Sequence, residues 1–116
     1  MRLRMIALCL GLLALHASSA SAEDYPTRPI RIIVPSAAGG GFDLTARIIS
    51  EKLSETLGKP VIVENRTGAG TLIGTQYVTT MPADGYTLLL GGLSNIALNP
   101  GLYKKLPYDS LKDFVP

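Results

Sequence analysis

The chain has 116 residues, with eleven Lys or Arg, nine Asp or Glu, one Cys and one His. Arg2, Arg4, Cys9 and His16 all fall within the first 22 residues, so the part after Ala22 is electrically neutral and contains neither Cys nor His. Neutrality argues against nucleic acid, whose binding needs a basic face to neutralise phosphates. The missing thiol and imidazole exclude a disulfide framework, a thiolate nucleophile, a histidine base and a zinc site of ordinary type.

The opening MRLRMIALCLGLLALHASSASA reads as a secretory signal peptide over residues 1–22. Two arginines precede an apolar run from Met5 to Leu15, and Ala20-Ser21-Ala22 supplies an A-x-A cleavage site. An apolar stretch of about eleven residues falls short of the roughly 20 that span a bilayer. Leu8 is bulky where a lipidation signal carries a small residue, which leaves Cys9 as part of the apolar segment. A periplasmic protein is therefore expected.

In the exported part, Ile30 to Val34 (IRIIV) is apolar almost throughout, as in a strand buried on both faces of a parallel sheet. SAAGGGFD follows, and then Phe42, Ala46, Ile49, Leu53 and Leu57 recur at helical spacing until Gly58 and Pro60 end the helix. Val61 to Val63 give a second strand. After the stretch RTGAGTLIG, residues Ile73, Tyr77 and Thr80 mark one face of a second helix, closed by Pro82. Asp84-Gly85 makes a turn into a third buried strand, Tyr86 to Leu90. Beyond Asn95 a short helix or turn and then an extended segment are expected. Strand, helix, strand, helix, strand is two consecutive βαβ units, hence an α/β fold with a parallel sheet. The final residues, SLKDFVP, lack a polar tail and read as a chain that continues.

Ligands of open parallel sheets gather at the carboxyl ends of the strands. This sequence places three small-residue loops there: Ser36 to Gly41, Thr67 to Thr71, and Gly91 to Asn95. Glycine lets backbone N–H groups approach a ligand, and the first turn of the following helix adds unpaired donors and a partial positive charge. The combination favours an anion, although each loop taken singly also fits an ordinary strand-to-helix turn. Asp43 and Arg47, four apart, are placed to pair on the first helix. Asp43 also fits a capping role, with contact to a ligand amine as the lesser alternative.

The motifs VPSAAGGGFDLTARII, VIVENRTGAGTLIG, ADGYTLLLGG and NPGLYKKLPYDSLKDFVP, in this order from about Tyr25 to Pro116, resemble the Bug-type receptors, the periplasmic substrate-binding proteins of tripartite tricarboxylate transporters. The resemblance implies a type II periplasmic-binding-protein fold of two α/β lobes. Residues 23–116 would then form the N-terminal part of the first lobe of a two-lobed solute-binding protein. It also implies a small carboxylate ligand, delivery to the membrane subunits of the transporter, no enzymatic activity and no cofactor. Carried over by position, Ala38, Gly39, Gly40, Gly68, Ala69, Gly70 and Thr71 are the implied contacts, with Ser94 and Asn95 as candidates from the third loop. Ser36 stands where the family commonly has an aromatic, Phe42 where it has a small residue, and Thr71 where it often has glycine.

Three other readings compete. Gly68-x-Gly70-x-x-x-Gly74 resembles a dinucleotide signature, which predicts an acidic residue about 20 positions later on the ribose. Asp84 is near that distance, but it precedes the third strand in a DG turn. Ser94 in GGLSN does not form the G-x-S-x-G of exported hydrolases. A solute sensor acting on a membrane signalling partner would use the same receptor fold, and the sequence does not separate the two uses.

Overall fold

The computed structural model describes residues 24–116; the expected signal peptide, 1–22, lies outside them. In chain order the elements are β1 (Ile30–Val34), α1 (Gly41–Leu57), β2 (Val61–Asn65), α2 (Leu72–Thr79) and β3 (Thr87–Leu89). A π-helical turn (Leu93–Leu98) and a short helix α3 (Asn99–Leu102) follow. The strands form one parallel sheet in the order β2-β1-β3, with Ile32 opposite both Val63 and Leu88. The α/β reading with a parallel sheet therefore holds, and the most continuously apolar segment occupies the centre.

Side chains alternate across a strand, so β1 serves two layers. Ile30, Ile32 and Val34 pack with Ala46 and Val61 in the core, against Phe42, Leu53 and Leu57 of α1. Burying an Ile or Val side chain contributes about 1.5–3 kcal/mol, which makes this face the main source of stability. On the opposite face Arg31 reaches the Tyr77 hydroxyl of α2 at 3.4 Å, Thr87 Oγ1 at 3.4 Å and Glu64 at 3.5 Å. The one charged residue within β1 is thus held among polar partners on two strands and a helix. Gly58 ends α1 at φ 64°, its N–H bonded to Ser54 O, a left-handed stop that glycine adopts without cost.

Four expectations need correction. Ile49 is 41% exposed, while Asp43, Ala46 and Ser50 are the buried residues of α1. Two of those three are polar, bonded to neighbours within a few residues through Asp43 Oδ2 and Ser50 Oγ, and so invisible to an apolar count. Ile73 is 53% exposed and Thr80 lies just beyond α2, whereas Gly74 and Thr75 are buried. A Cβ on Gly74 would lie 2.5 Å from Arg66 O and 2.8 Å from Pro35 Cα, so α2 seats its backbone directly on the chain leaving β1. The smallest residue, not the largest apolar one, marks the buried side there. Strand two runs two residues further than expected, to Asn65. The third strand is not buried on both faces: Leu88 is 36% exposed, because α1 contacts β1 and β2 and leaves β3 uncovered on that side. Hydrogen bonds from Arg31 N to Tyr86 O and from Leu90 N to Ile33 O, both 2.9 Å, still pair it over Tyr86 to Leu90.

Candidate functional site

All three small-residue loops leave the carboxyl ends of the parallel strands, and specific bonds tie them together there. Asn65 at the end of β2 donates to Ser36 O at 3.1 Å, joining loops one and two at their roots. Phe42, in the first turn of α1, lies against Gly92 so closely that a Cβ on Gly92 would overlap its ring, joining loops one and three. The bulky Phe42 therefore fills the space between two loops.

In loop one, Ala38, Gly39 and Gly40 are exposed, and Gly39 adopts φ 83° with open space around it. The Gly39 amide donates to Asp43 Oδ2 at 2.8 Å, and Gly40 N makes a long bond to Ala37 O at 3.4 Å. Asp43 Oδ2 also accepts from Arg47 Nε at 2.9 Å, so the i,i+4 pair and the bond to the preceding loop share one oxygen. The Arg47 bond, reinforced by the Gly39 amide, holds the Asp43 carboxyl at about 2 against the opposing effect of burial. The carboxylate is only 2% exposed and stays ionised at neutral pH. It fixes loop one from within, and the donors left at the start of α1 are the first-turn amides of Gly41, Phe42 and Asp43.

Loop two has the more unusual backbone. Gly68, Ala69, Gly70 and Thr71 take φ values of 131°, 46°, 60° and 78°, four successive residues in a region that L-residues avoid. Leu72 N and Ile73 N turn back onto Ala69 O and Gly68 O at 3.3 and 3.5 Å. Among the described residues, no hydrogen-bond partner is recorded for the amides of Gly68, Ala69, Gly70 and Thr71. Successive amides in such a conformation form an anion-accepting concavity. Arg66, just before them, is engaged elsewhere: its Nε donates to Glu64 Oε1 at 2.7 Å and its guanidinium lies 3.5 Å from the centre of the Tyr77 ring.

The third loop divides its two candidates. Ser94 is exposed. Asn95 is fully buried: its Oδ1 accepts from Gly92 N at 2.8 Å, while its Nδ2 donates to Thr75 Oγ1 at 3.2 Å and Leu90 O at 3.3 Å. Its side chain is committed to shaping the loop rather than turned towards a ligand. Three residues escaped the sequence reading altogether. Asn99 and Tyr108 are buried beside loop two, and Tyr103 Oη would lie 3.2 Å from a Cβ on Gly70. Their only signal was membership of the NPGLYKKLPYD motif, because irregular segments carry no periodicity.

No cluster of three or more His, Cys, Asp or Glu placed to hold a metal occurs among the described residues. Asp84, the residue a dinucleotide would need, accepts from Tyr86 N at 3.0 Å and pairs with Arg28 at 2.7 Å, just before β3 begins. That is the amino edge of the sheet, opposite the glycine loops. A shallow pocket of about 290 Å³ lined by Tyr25, Arg28, Asp84 and Tyr86 lies at the same amino edge and has no part in the loop site.

The described residues share their fold with solved periplasmic binding proteins. MatC from Rhodopseudomonas palustris, solved with bound malate, superposes with a TM-score of 0.76 at 38% identity, over 79% of this chain and 31% of its own. The periplasmic binding protein BugD gives 0.73 at 43% identity, over 78% and 30%, and an R. palustris protein solved with adipate gives 0.72 at 38%, over 75% and 29%. BugT of Bordetella pertussis is 46% identical over 101 residues, 86% of this chain and 31% of that protein. Residues 45–116 match the model of the tripartite tricarboxylate transporter family receptor, and the chain belongs to that family. It spans about a third of the length of the curated relatives it matches, 34% and 31% in two cases.

Proposed function

We propose that this chain supplies the carboxylate-gripping edge of an extracytoplasmic solute receptor that hands its ligand to the membrane subunits of a tripartite tricarboxylate transporter. Residues 1–22 would direct its export, and residues 23–116 would form part of the first of two lobes. The observation that carries the reading is the backbone of Gly68 to Thr71, four successive residues at positive φ on the same sheet edge as the start of α1. Charge-assisted hydrogen bonds contribute about 1.5–3 kcal/mol each, so a few convergent amides offset much of an association cost of about 4–15 kcal/mol. None of the three loops carries a Lys or Arg, so the grip rests on main-chain donors and helix N-termini.

The contact set favoured by this geometry is Gly68, Ala69, Gly70 and Thr71 with the first-turn amides of α1. Ala38 and Gly40 lie at the rim, and Ser94 faces the same edge. Gly39 and Asn95 act one step back, through Asp43 and through the third loop. Malate and adipate accompany two of the related structures, so dicarboxylates are the first ligands to try. Calorimetry on the protein expressed in full from its gene, with mono-, di- and tricarboxylates and their uncharged amides, tests the reading. Saturable heat with acids and none with amides is expected; equal binding of acids and amides would overturn it.

A further inference from the structure

Behind loop two lies a closed ring of hydrogen bonds, buried at its centre and partly buried where it begins and ends at Thr71. Thr75 Oγ1 donates to Thr71 O at 2.8 Å, and Asn95 Nδ2 donates to Thr75 Oγ1 at 3.2 Å. The carbonyl of Asn95 accepts from Tyr108 Oη at 2.7 Å, and that hydroxyl accepts from Asn99 Nδ2 at 3.1 Å. The second N–H of Asn99 Nδ2 returns to loop two, shared between Thr71 Oγ1 at 3.1 Å and Gly70 O at 3.3 Å. Thr75, Asn95, Asn99 and Tyr108 are each at most 6% exposed. In such low-dielectric surroundings a satisfied network is rigid and an unsatisfied member costly.

Ala69 and Thr71, at φ 46° and 78°, hold conformations that non-glycine residues keep only when their surroundings impose them. The ring grips both the carbonyl and the hydroxyl of Thr71, adding to the backbone bond from Thr75 N to the same carbonyl. We infer that Asn99 and Tyr108 are positioning residues for ligand capture: they touch no ligand, but lock loops two and three together and keep the amides of Gly68 to Thr71 aimed outward. The inference rests on the carboxylate reading above. Its physical content is preorganisation, because a loop that visits its binding-competent shape only part of the time binds more weakly by that fraction.

The test compares the full protein with Tyr108→Phe, which removes one hydroxyl, and with Thr71→Val, which removes the acceptor at the other end of the ring. Tyr25→Phe serves as the control, deleting a hydroxyl bonded to Gly85 O at the amino edge of the sheet. Two readouts are taken: amide hydrogen exchange at Leu72, Ile73 and Thr75, whose N–H groups bond back to Ala69, Gly68 and Thr71, relative to the middle of α1, and the dissociation constants for malate and adipate. Both ring variants should speed exchange at Leu72, Ile73 and Thr75 by roughly an order of magnitude, leave α1 unchanged and weaken whichever acid binds by about tenfold, the scale of one or two neutral hydrogen bonds. Tyr25→Phe should alter neither. Unchanged exchange and affinity in a folded ring variant would overturn the inference, and so would loosening of α1 and loop two together. A parent protein that binds none of the mono-, di- and tricarboxylates defeats the carboxylate reading alone, and the exchange comparison then decides whether the ring fixes the loop.

Discussion

Four successive residues of loop two have positive φ, and only two of them are glycine. At Ala69 the side chain is exposed, so its left-handed conformation costs about 1 kcal/mol with nothing bonded to the methyl group in return. Ala69→Gly should raise stability by a few tenths to about 1 kcal/mol, the gain being limited by the greater unfolded-state freedom of glycine. Chemical denaturation of the two proteins measures it. Gly70→Val should instead abolish carboxylate binding, because a branched side chain at φ 60° strains the loop and collides with Tyr103 Oη. Calorimetry reads the loss, and circular dichroism should show helicity largely retained. Asp43 makes the third residue-scale case. Its folded carboxyl sits at about 2, below its unfolded value near 3.9, so its contribution to stability is complete above about pH 4. That contribution fades as the pH falls from there towards 2. Asp43→Asn should flatten the pH dependence of the melting temperature in that window and leave it unchanged in form above pH 5.

At the scale of elements, the least conspicuous side chain governs the packing of α2. Gly74→Ala would press a methyl group to within 3 Å of Arg66 O and Pro35, where backbone atoms yield little. An overpacking cost of about 1–3 kcal/mol is expected, with α2 shifted off β1; denaturation midpoints and a structure of the variant would show it. The same contact explains what the sequence revealed and what it hid. β1 and α1 were readable nearly to the residue, because IRIIV is continuous and Gly58-Lys59-Pro60 is an unambiguous stop. The face of α2 was not, since periodicity arguments weigh apolar bulk and here the backbone itself is the contact surface. The position of the glycine loops at the carboxyl ends of the strands was legible. The roles of Gly39 and Asn95 were not, because whether an amide is free depends on the partner that folding brings to it. Asn99 and Tyr108 were hidden for the same reason: their partners lie in Thr71 and Asn95, far from them in helical or strand spacing.

At the scale of the whole molecule, the apolar core of the described residues is small and much apolar surface lies outside it. Ile48 on α1, Leu102 on α3, and Leu111 and Val115 near the end are 67%, 72%, 89% and 96% exposed. Residues 24–116 expressed alone should therefore self-associate. Sedimentation velocity is the check, and a monomer with a cooperative melt would contradict the expectation. The curated relatives are longer, and this chain spans about a third of their length.

Main-chain amides of loop two and of the first turn of α1 are the proposed grip on a carboxylate, and their ¹⁵N–¹H resonances report on it directly. On titrating the full protein with malate or adipate, the signals of Gly68, Ala69, Gly70, Thr71 and the α1 first turn should shift saturably, with the dissociation constant found by calorimetry. Saturable binding of a dicarboxylate that leaves all of those amides unmoved would contradict the account.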